Sequence, residues 1–341
     1  MNGPICRRIA VVLLFGVACI VGCRAESTPP PPQPTGVVFA CHASPPVSNS
    51  DVPCDPDIIY VVSADGTVST EVGKGEFPSW SPDGRLLATS TRSSTQILDI
   101  AMGTSYRSIE IDLDIDAIAW SPDGRRIAFR VGWVHGPPMH ARIWVVNADG
   151  SGAQQLTADA WGTVVGSPSW SADSTRIAYD VSLDWIEGDL PWHIHVMNSD
   201  GSYDRQLTEG PGSYTFPRWS PQGGKIACRW FIDGESHVVV MDEDGTDQTL
   251  LAEGMLDGWS VDGHGIYFHR DDEILVMSAD GSNQTSLGGG ILYGSSPDGS
   301  TLFFHLPGDD YLWSMDSDGS NRTRLFKLEC ENPVWAPVLV E

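Results

Sequence analysis

Trp120-Ser121-Pro122-Asp123-Gly124 is followed by Ile127-Ala128-Phe129, then by Ile143-Trp144-Val145-Val146-Asn147-Ala148-Asp149-Gly150 and Gln155-Leu156-Thr157. These are short apolar runs punctuated by turn residues. Asp-Gly between apolar runs signals a hairpin, because both residues accept the positive φ of a tight turn. Pro-Asp-Gly works similarly, with proline presetting the first φ. Four short strands follow: a, ending in tryptophan; b and c, apolar; and d, polar-ended. A four-stranded unit of about 40–45 residues, when repeated, is a propeller blade.

The unit does repeat. Its first motif recurs as Trp80-Ser81-Pro82-Asp83-Gly84, Trp170-Ser171-Ala172-Asp173, Trp219-Ser220-Pro221-Gln222-Gly223 and Trp259-Ser260-Val261-Asp262-Gly263. Ser295-Ser296-Pro297-Asp298-Gly299 is a degenerate copy with serine in place of tryptophan, and Trp335-Ala336-Pro337 is the last. The steps between the seven positions are 40, 50, 49, 40, 36 and 40 residues, so the period is regular enough to count blades. A second motif interleaves, with glycines at 66, 103, 150, 201, 245, 281 and 319; all but Gly103 follow aspartate. Six units lie between Trp80 and Trp335. Left over are Val37–Ala40, Ile58–Val62 and Val68–Val72 at the start, and one strand around Trp335 at the end. The expected fold is therefore all-β: a seven-bladed β-propeller with four antiparallel strands per blade. The C-terminal strand a joins the N-terminal strands b, c and d, which closes the ring and removes an open sheet edge. A six-bladed ring is the alternative.

This pattern resembles the WD-type repeat of TolB-like propellers, and blade 120–157 carries the resemblance best. It covers essentially everything after residue 36 and is specific for fold rather than for activity. TolB carries a smaller α/β domain before its propeller, and no room for one is seen between Pro34 and Val37. Some propeller lyases with similar repeats hold a metal through several histidines. Similar propellers also precede the hydrolase domain of some serine peptidases, and none is expected after Trp335.

The first 35 residues read differently. Arg7 and Arg8 precede an uncharged apolar run from Ile9 to Val21. Thirteen residues are too few to span a bilayer, which takes about 20, and fit the core of a secretory signal. Ile20-Val21-Gly22-Cys23 resembles a bacterial lipobox. The expected organisation is a lipoprotein signal peptide over 1–22, a lipidated Cys23 with a proline-rich stalk over 23–35, and the propeller over 36–341. Pro29 to Pro34 favour extended polyproline II, a semi-rigid spacer. The expected location is outside the cytoplasm, anchored as a lipoprotein to the bacterial cell membrane or outer membrane.

Charge narrows the partners. The chain has 45 acidic and 20 basic residues, a net −25, and its only lysines are Lys74, Lys225 and Lys327. Phosphate neutralisation needs a basic stripe, so no nucleic-acid partner is expected. Loss of Arg7 and Arg8 with the signal takes the charge to −27, which keeps the domain off anionic headgroups. A monomer is expected, with an envelope protein or a carbohydrate or peptide ligand as its partner and a lipid anchor as its membrane contact.

Of seven cysteines, Cys6 and Cys19 leave with the signal and Cys23 is taken by lipid. Cys41 and Cys54 flank one loop between adjacent antiparallel strands and are expected to form a disulfide, since such strands lie within bridging distance. Cys41 with Cys330 is the competing pairing. Cys228 follows Ile226-Ala227 and reads as a buried free thiol.

Two kinds of face follow from the strand order. The a–b and c–d connections are short stereotyped turns. The b–c and d–a connections vary in length, and varied loops on a rigid scaffold concentrate binding residues. The candidate binding face holds Trp133, His135, His140, Asp184, Trp185, Trp192, His193, His237, His269 and His305. His195 belongs to the same set of loop-edge histidines, and Asp257 to the acids of the d–a loops. No local spacing matches a metal motif or a nucleophile elbow, so no catalytic residue, metal site or cofactor is expected, a divalent cation at the acidic rim being the alternative. The expected role is a membrane-anchored binding scaffold, with a polysaccharide lyase or hydrolase using a His/acid site as the alternative.

Overall fold

The computed structural model describes residues 36–41, 58–63, 69–74, 76–91, 94–99, 104–109, 115–133, 140–158, 163–182, 191–296, 298–327 and 334–338. The signal segment, Cys23, the stalk, Cys54, Cys330, His135, Asp184 and Trp185 lie outside them, as do the side chains of Cys41, Trp133 and His140.

Among the described residues every regular element is a strand. Ser213–Trp219, Lys225–Ile232, Glu235–Asp242 and Thr249–Glu253 form one antiparallel sheet in chain order. Four further sheets repeat this order, beginning at Glu76–Trp80, Ile115–Trp120, Met255–Trp259 and Ile291–Ser295. A sixth four-stranded sheet joins the ends of the propeller: Val334–Val338 pairs with Gly36–Cys41, followed by Ile58–Ser63 and Ser69–Lys74. Phe39 lies opposite Trp335 on one side and Tyr60 on the other.

The expectation of seven blades of four strands each needs a correction. Six sheets are four-stranded blades, the number in the six-bladed alternative. The remaining sheet, over 164–206, has five strands: Val164–Val165 and Ser169–Trp170 both pair with Arg176–Ser182, followed by His193–Asn198 and Arg205–Gln206. The cause is local. Gly166, Ser167 and Pro168 interrupt the first strand; the Gly166 N–H still donates to Asp180 O at 2.7 Å, but Pro168 has no N–H to give. Other first strands carry a milder form of the same defect, a register shift between Ile115 and Ala117, Thr215 and Arg218, Leu256 and Gly258, and Leu292 and Gly294. A bulge bends a strand and increases its twist. First strands of successive sheets pack on one another, and Ile291–Ser295 and Glu76–Trp80 both pack on Val334–Val338.

The repeated motif explains this packing. In the Ser-Pro-Asp-Gly turn, Ser121 Oγ lies 2.6 Å from Asp123 Oδ1, which also accepts the Arg125 N–H at 3.0 Å. Gly124 closes the turn at φ +67°, a conformation that penalises other residues. These bonds hold the Asp123 carboxyl below the usual carboxylate range, against the opposing effect of its burial. The preceding tryptophan bridges blades. Trp120 Nε1 donates to Ser79 O (2.9 Å), Trp170 Nε1 to Ala119 O (3.0 Å) and Trp259 Nε1 to Arg218 O (2.9 Å). Arg126 and Arg176 cap the Trp170 and Trp219 rings, each 4.9 Å from the ring centre. The second strands, such as Ile127-Ala128-Phe129, are buried on both faces. Each blade thereby contributes to the apolar layer shared with its neighbour.

Candidate functional site

Hairpin register builds a row of rings at the b–c end of blade 213–253. Tyr214 lies opposite Trp230, and Trp230 opposite His237. Tyr214 and Trp230 stack at 5.7 Å, and Trp230 meets His237 at 5.6 Å. His193, from the preceding blade, stacks on the other side of Tyr214 at 6.4 Å. The row is anchored by backbone. The Tyr214 N–H donates to Trp192 O (2.7 Å), the Trp192 N–H to Ser213 Oγ (3.2 Å), and Trp230 Nε1 to Pro211 O (3.0 Å). Burial, helped by nearby His195, lowers the His193 pKa and favours its neutral, stackable form. Around the row, Phe216, Phe231 and Met255 are 46, 41 and 39% exposed, so the face offers apolar contact area to a partner.

The other histidines find local partners instead. His269 Nδ1 lies 2.7 Å from Asp257 Oδ1. The hydrogen bond to Asp257 raises the His269 pKa, while burial raises that of Asp257. Asp257 sits at the register shift of its strand, which turns its carboxylate under His269. His305 stacks on Tyr293 at 5.0 Å, and burial lowers its pKa. Its Nδ1 is buried without a hydrogen-bond partner. His195 is not a loop-edge residue: it lies inside strand His193–Asn198, 3.2 Å from Asp204 Oδ1. His140 stands opposite Trp133 in the strand register.

Of the sequence candidates, His193 and His237 thus share one stack, with Trp192 beside it, whereas His269 and His305 each keep to their own blade. Among the described residues no group of three or more His, Cys, Asp or Glu side chains is placed to hold a metal ion. Tyr214, Trp230 and Tyr293 were absent from the sequence candidates. A signal existed for Trp230: it and His237 are equidistant from the Asp233-Gly234 turn, so a two-residue hairpin must place them opposite each other.

Beneath this face lies a buried charged group. Asp180, from strand Arg176–Ser182, has its carboxyl pushed up to about 6 by burial, against the opposing pull of Arg130 and Arg218. Its Oδ1 has no hydrogen-bond partner. Burial likewise lowers the pKa of half-buried Arg218 and raises that of Cys228, a buried free thiol as expected.

The family described as TolB beta propeller domain matches residues 57–287 and 119–339. The chain belongs to this family. An uncharacterised protein of Agrobacterium fabrum is 32% identical over 165 residues, covering 45% of this chain and 54% of that one. The Tol-Pal system protein TolB of Anaeromyxobacter dehalogenans is 38% identical over 96 residues, 27% of this chain and 21% of that one. The chain therefore matches about half or less of the length of these curated relatives. Among solved structures, oligogalacturonate lyase of Vibrio parahaemolyticus superposes with a TM-score of 0.58 over 78% of this chain and 82% of that one. At 13% identity it shows the fold alone.

Proposed function

We propose that this TolB-type propeller is exported, tethered to the membrane by lipid on Cys23, and holds a protein partner on the face made by its b–c and d–a connections. The observation that carries the reading is the stacked row His193–Tyr214–Trp230–His237 beside exposed Phe216, Phe231 and Met255. Stacked aromatic rings offer rigid, amphipathic contact area at low entropic cost, and large aromatics carry much of an interface's energy. The Tol-Pal name of one relative supports an envelope protein as the partner. The proline stalk and the net charge, −25 in the full chain and −27 once Arg7 and Arg8 leave with the signal, together hold the domain away from the anionic bilayer. Photocrosslinking in the intact envelope identifies the partner itself.

The test is a pair of alanine variants, Trp192→Ala and Trp230→Ala, in the full-length protein. Each is expected to weaken binding of that partner at least about thirtyfold, the effect of a hot-spot residue. Thermal melts should show that both variants still fold. Undiminished binding by both would sink the reading. The Asp257–His269 pair supports one second reading, a sugar-polymer lyase or hydrolase with the imidazole as its proton carrier. That reading requires turnover of an acidic oligosaccharide by the wild type that His269→Ala abolishes.

A further inference from the structure

Tryptophan ends the first strand at Trp80, Trp120, Trp170, Trp219 and Trp259, and all but Trp259 are at least nine-tenths buried. At 120, 170 and 259 the indole N–H reaches the carbonyl of the residue that precedes the previous blade's tryptophan. The blade that begins at Ile291 has Ser295 at this position. The carbonyl that matches the pattern is that of Gly258, and a slot opens beside it between the first strands of the two blades. Gly258, Trp259, Tyr267, Leu292, Tyr293 and Ser295 line it, and its cavity volume is about 90 Å³, open to solvent at its mouth.

Two further observations show that the slot is not needed by the fold. A Cβ placed on Gly258 would meet no atom within 4 Å, and its φ lies outside the left-handed region, so neither packing nor backbone requires glycine there. Asp257, which also lines the slot, has a buried Oδ2 without a hydrogen-bond partner on a side chain only 9% exposed. A buried acceptor left unpaired is costly, and a donor entering the slot would offset that cost.

We propose that this slot receives the indole of a tryptophan presented by a partner polypeptide. The proposal deepens the scaffold reading and rests on it, naming the side chain that the partner inserts. An indole has the flat shape that fills the equivalent space in the other blades. Its single N–H finds two acceptors, the Gly258 carbonyl and Asp257 Oδ2. Tyr267 and Tyr293 supply aromatic walls.

The test titrates the whole protein with acetyl-Gly-Trp-Gly-amide, following the backbone amides of Gly258 and Gly294 by NMR. Saturable shifts at both are expected. Replacing the indole by benzothiophene, which keeps the shape and loses the N–H, should weaken binding about tenfold, the worth of one hydrogen bond to a charged group. Ser295→Trp should fill the slot from within, hold or raise the melting temperature, and abolish peptide binding. Should that variant fail to fold, Gly258→Val blocks the same space. Absence of saturable shifts in the wild type overturns the proposal, as does equal binding by either folded variant. So does tighter binding of a control peptide, acetyl-Gly-Arg-Gly-amide, through Asp257, which would make the slot a cation site. If the peptide fails while Trp192→Ala loses the partner, the slot falls alone; if the peptide binds while both alanine variants keep the partner, the scaffold reading falls alone.

Discussion

A chain truncated after residue 332 is expected to lose about 10 °C or more of melting temperature, the equivalent of several kcal/mol in a domain this large. The truncation removes Val334–Val338, whose partner across the ring closure is Gly36–Cys41. The cost has three parts. The ladder bonds of that pair are lost. The strands Glu76–Trp80 and Ile291–Ser295 lose the strand on which both pack. The edge of Gly36–Cys41 becomes an open template for pairing with other chains, so the truncated protein should also self-associate. Calorimetry with light scattering checks both effects. An unchanged melting temperature would show that the strand is ornamental and that the ring holds without it.

Arg218→Met is expected to destabilise the fold by about 1–3 kcal/mol at pH 7.5, because it removes a positive charge that favours the buried Asp180 carboxylate. The charge of half-buried Arg218 pulls the Asp180 pKa down, and burial lowers that of Arg218 itself. Without it the Asp180 carboxylate keeps only Arg130 to offset its burial. The effect depends on pH with a definite sign. The folded-state value of Asp180 is raised to about 6 from 3.8, so the folded state binds the proton more tightly than the unfolded chain. Its contribution to stability is complete below the unfolded value and is lost as pH rises through the folded one. The shift corresponds to about 3 kcal/mol between the two limits. The loss caused by Arg218→Met should therefore shrink between pH 7.5 and pH 5, where Asp180 takes up a proton. Denaturant melts at both pH values decide the point, and an equal loss at each would show that the charge of Arg218 does not act on Asp180. Asp123 and Asp173 should behave oppositely. Hydrogen bonds from Ser121 and Ser171 hold their carboxyls low, so what they contribute is lost as pH falls below about 4.

Ring closure was readable in the sequence because Trp335 stands one period after Ser295, and because three strand-like runs before Trp80 had no tryptophan strand of their own. The turn-bearing face was readable for the same reason, since one Asp-Gly turn determines where two strands end. The five-stranded sheet was not readable. Gly166-Ser167-Pro168 marks an interruption, but whether a strand bulges, as at Asp257, or breaks is decided by packing against the next blade. The functional face was half readable. Local composition found His193 and His237, while the Tyr214 ring that joins them comes from the adjacent blade, and no single-strand pattern reports contacts between blades. Asp180 and Arg218 each interrupt an apolar stretch, Tyr179-Asp180-Val181 and Pro217-Arg218-Trp219. That the charge of one acts on the other across about forty residues of sequence is a tertiary fact. The serine at 295 was visible as a lapse in the repeat, but its consequence became visible only with the neighbouring strand in place.

The claim that the b–c and d–a face holds a protein partner is tested most directly by site-specific photocrosslinking in the intact bacterial envelope. A crosslinking residue replaces Phe231 or Met255, both exposed beside the stacked row, or Asp149 or Asp280, exposed on the opposite turn face. Positions 231 and 255 are predicted to capture the same envelope protein, identified by mass spectrometry, and Trp192→Ala should abolish its capture from both. Positions 149 and 280 should capture nothing specific. Capture of one partner from the turn face, or of none from either face, would contradict the account.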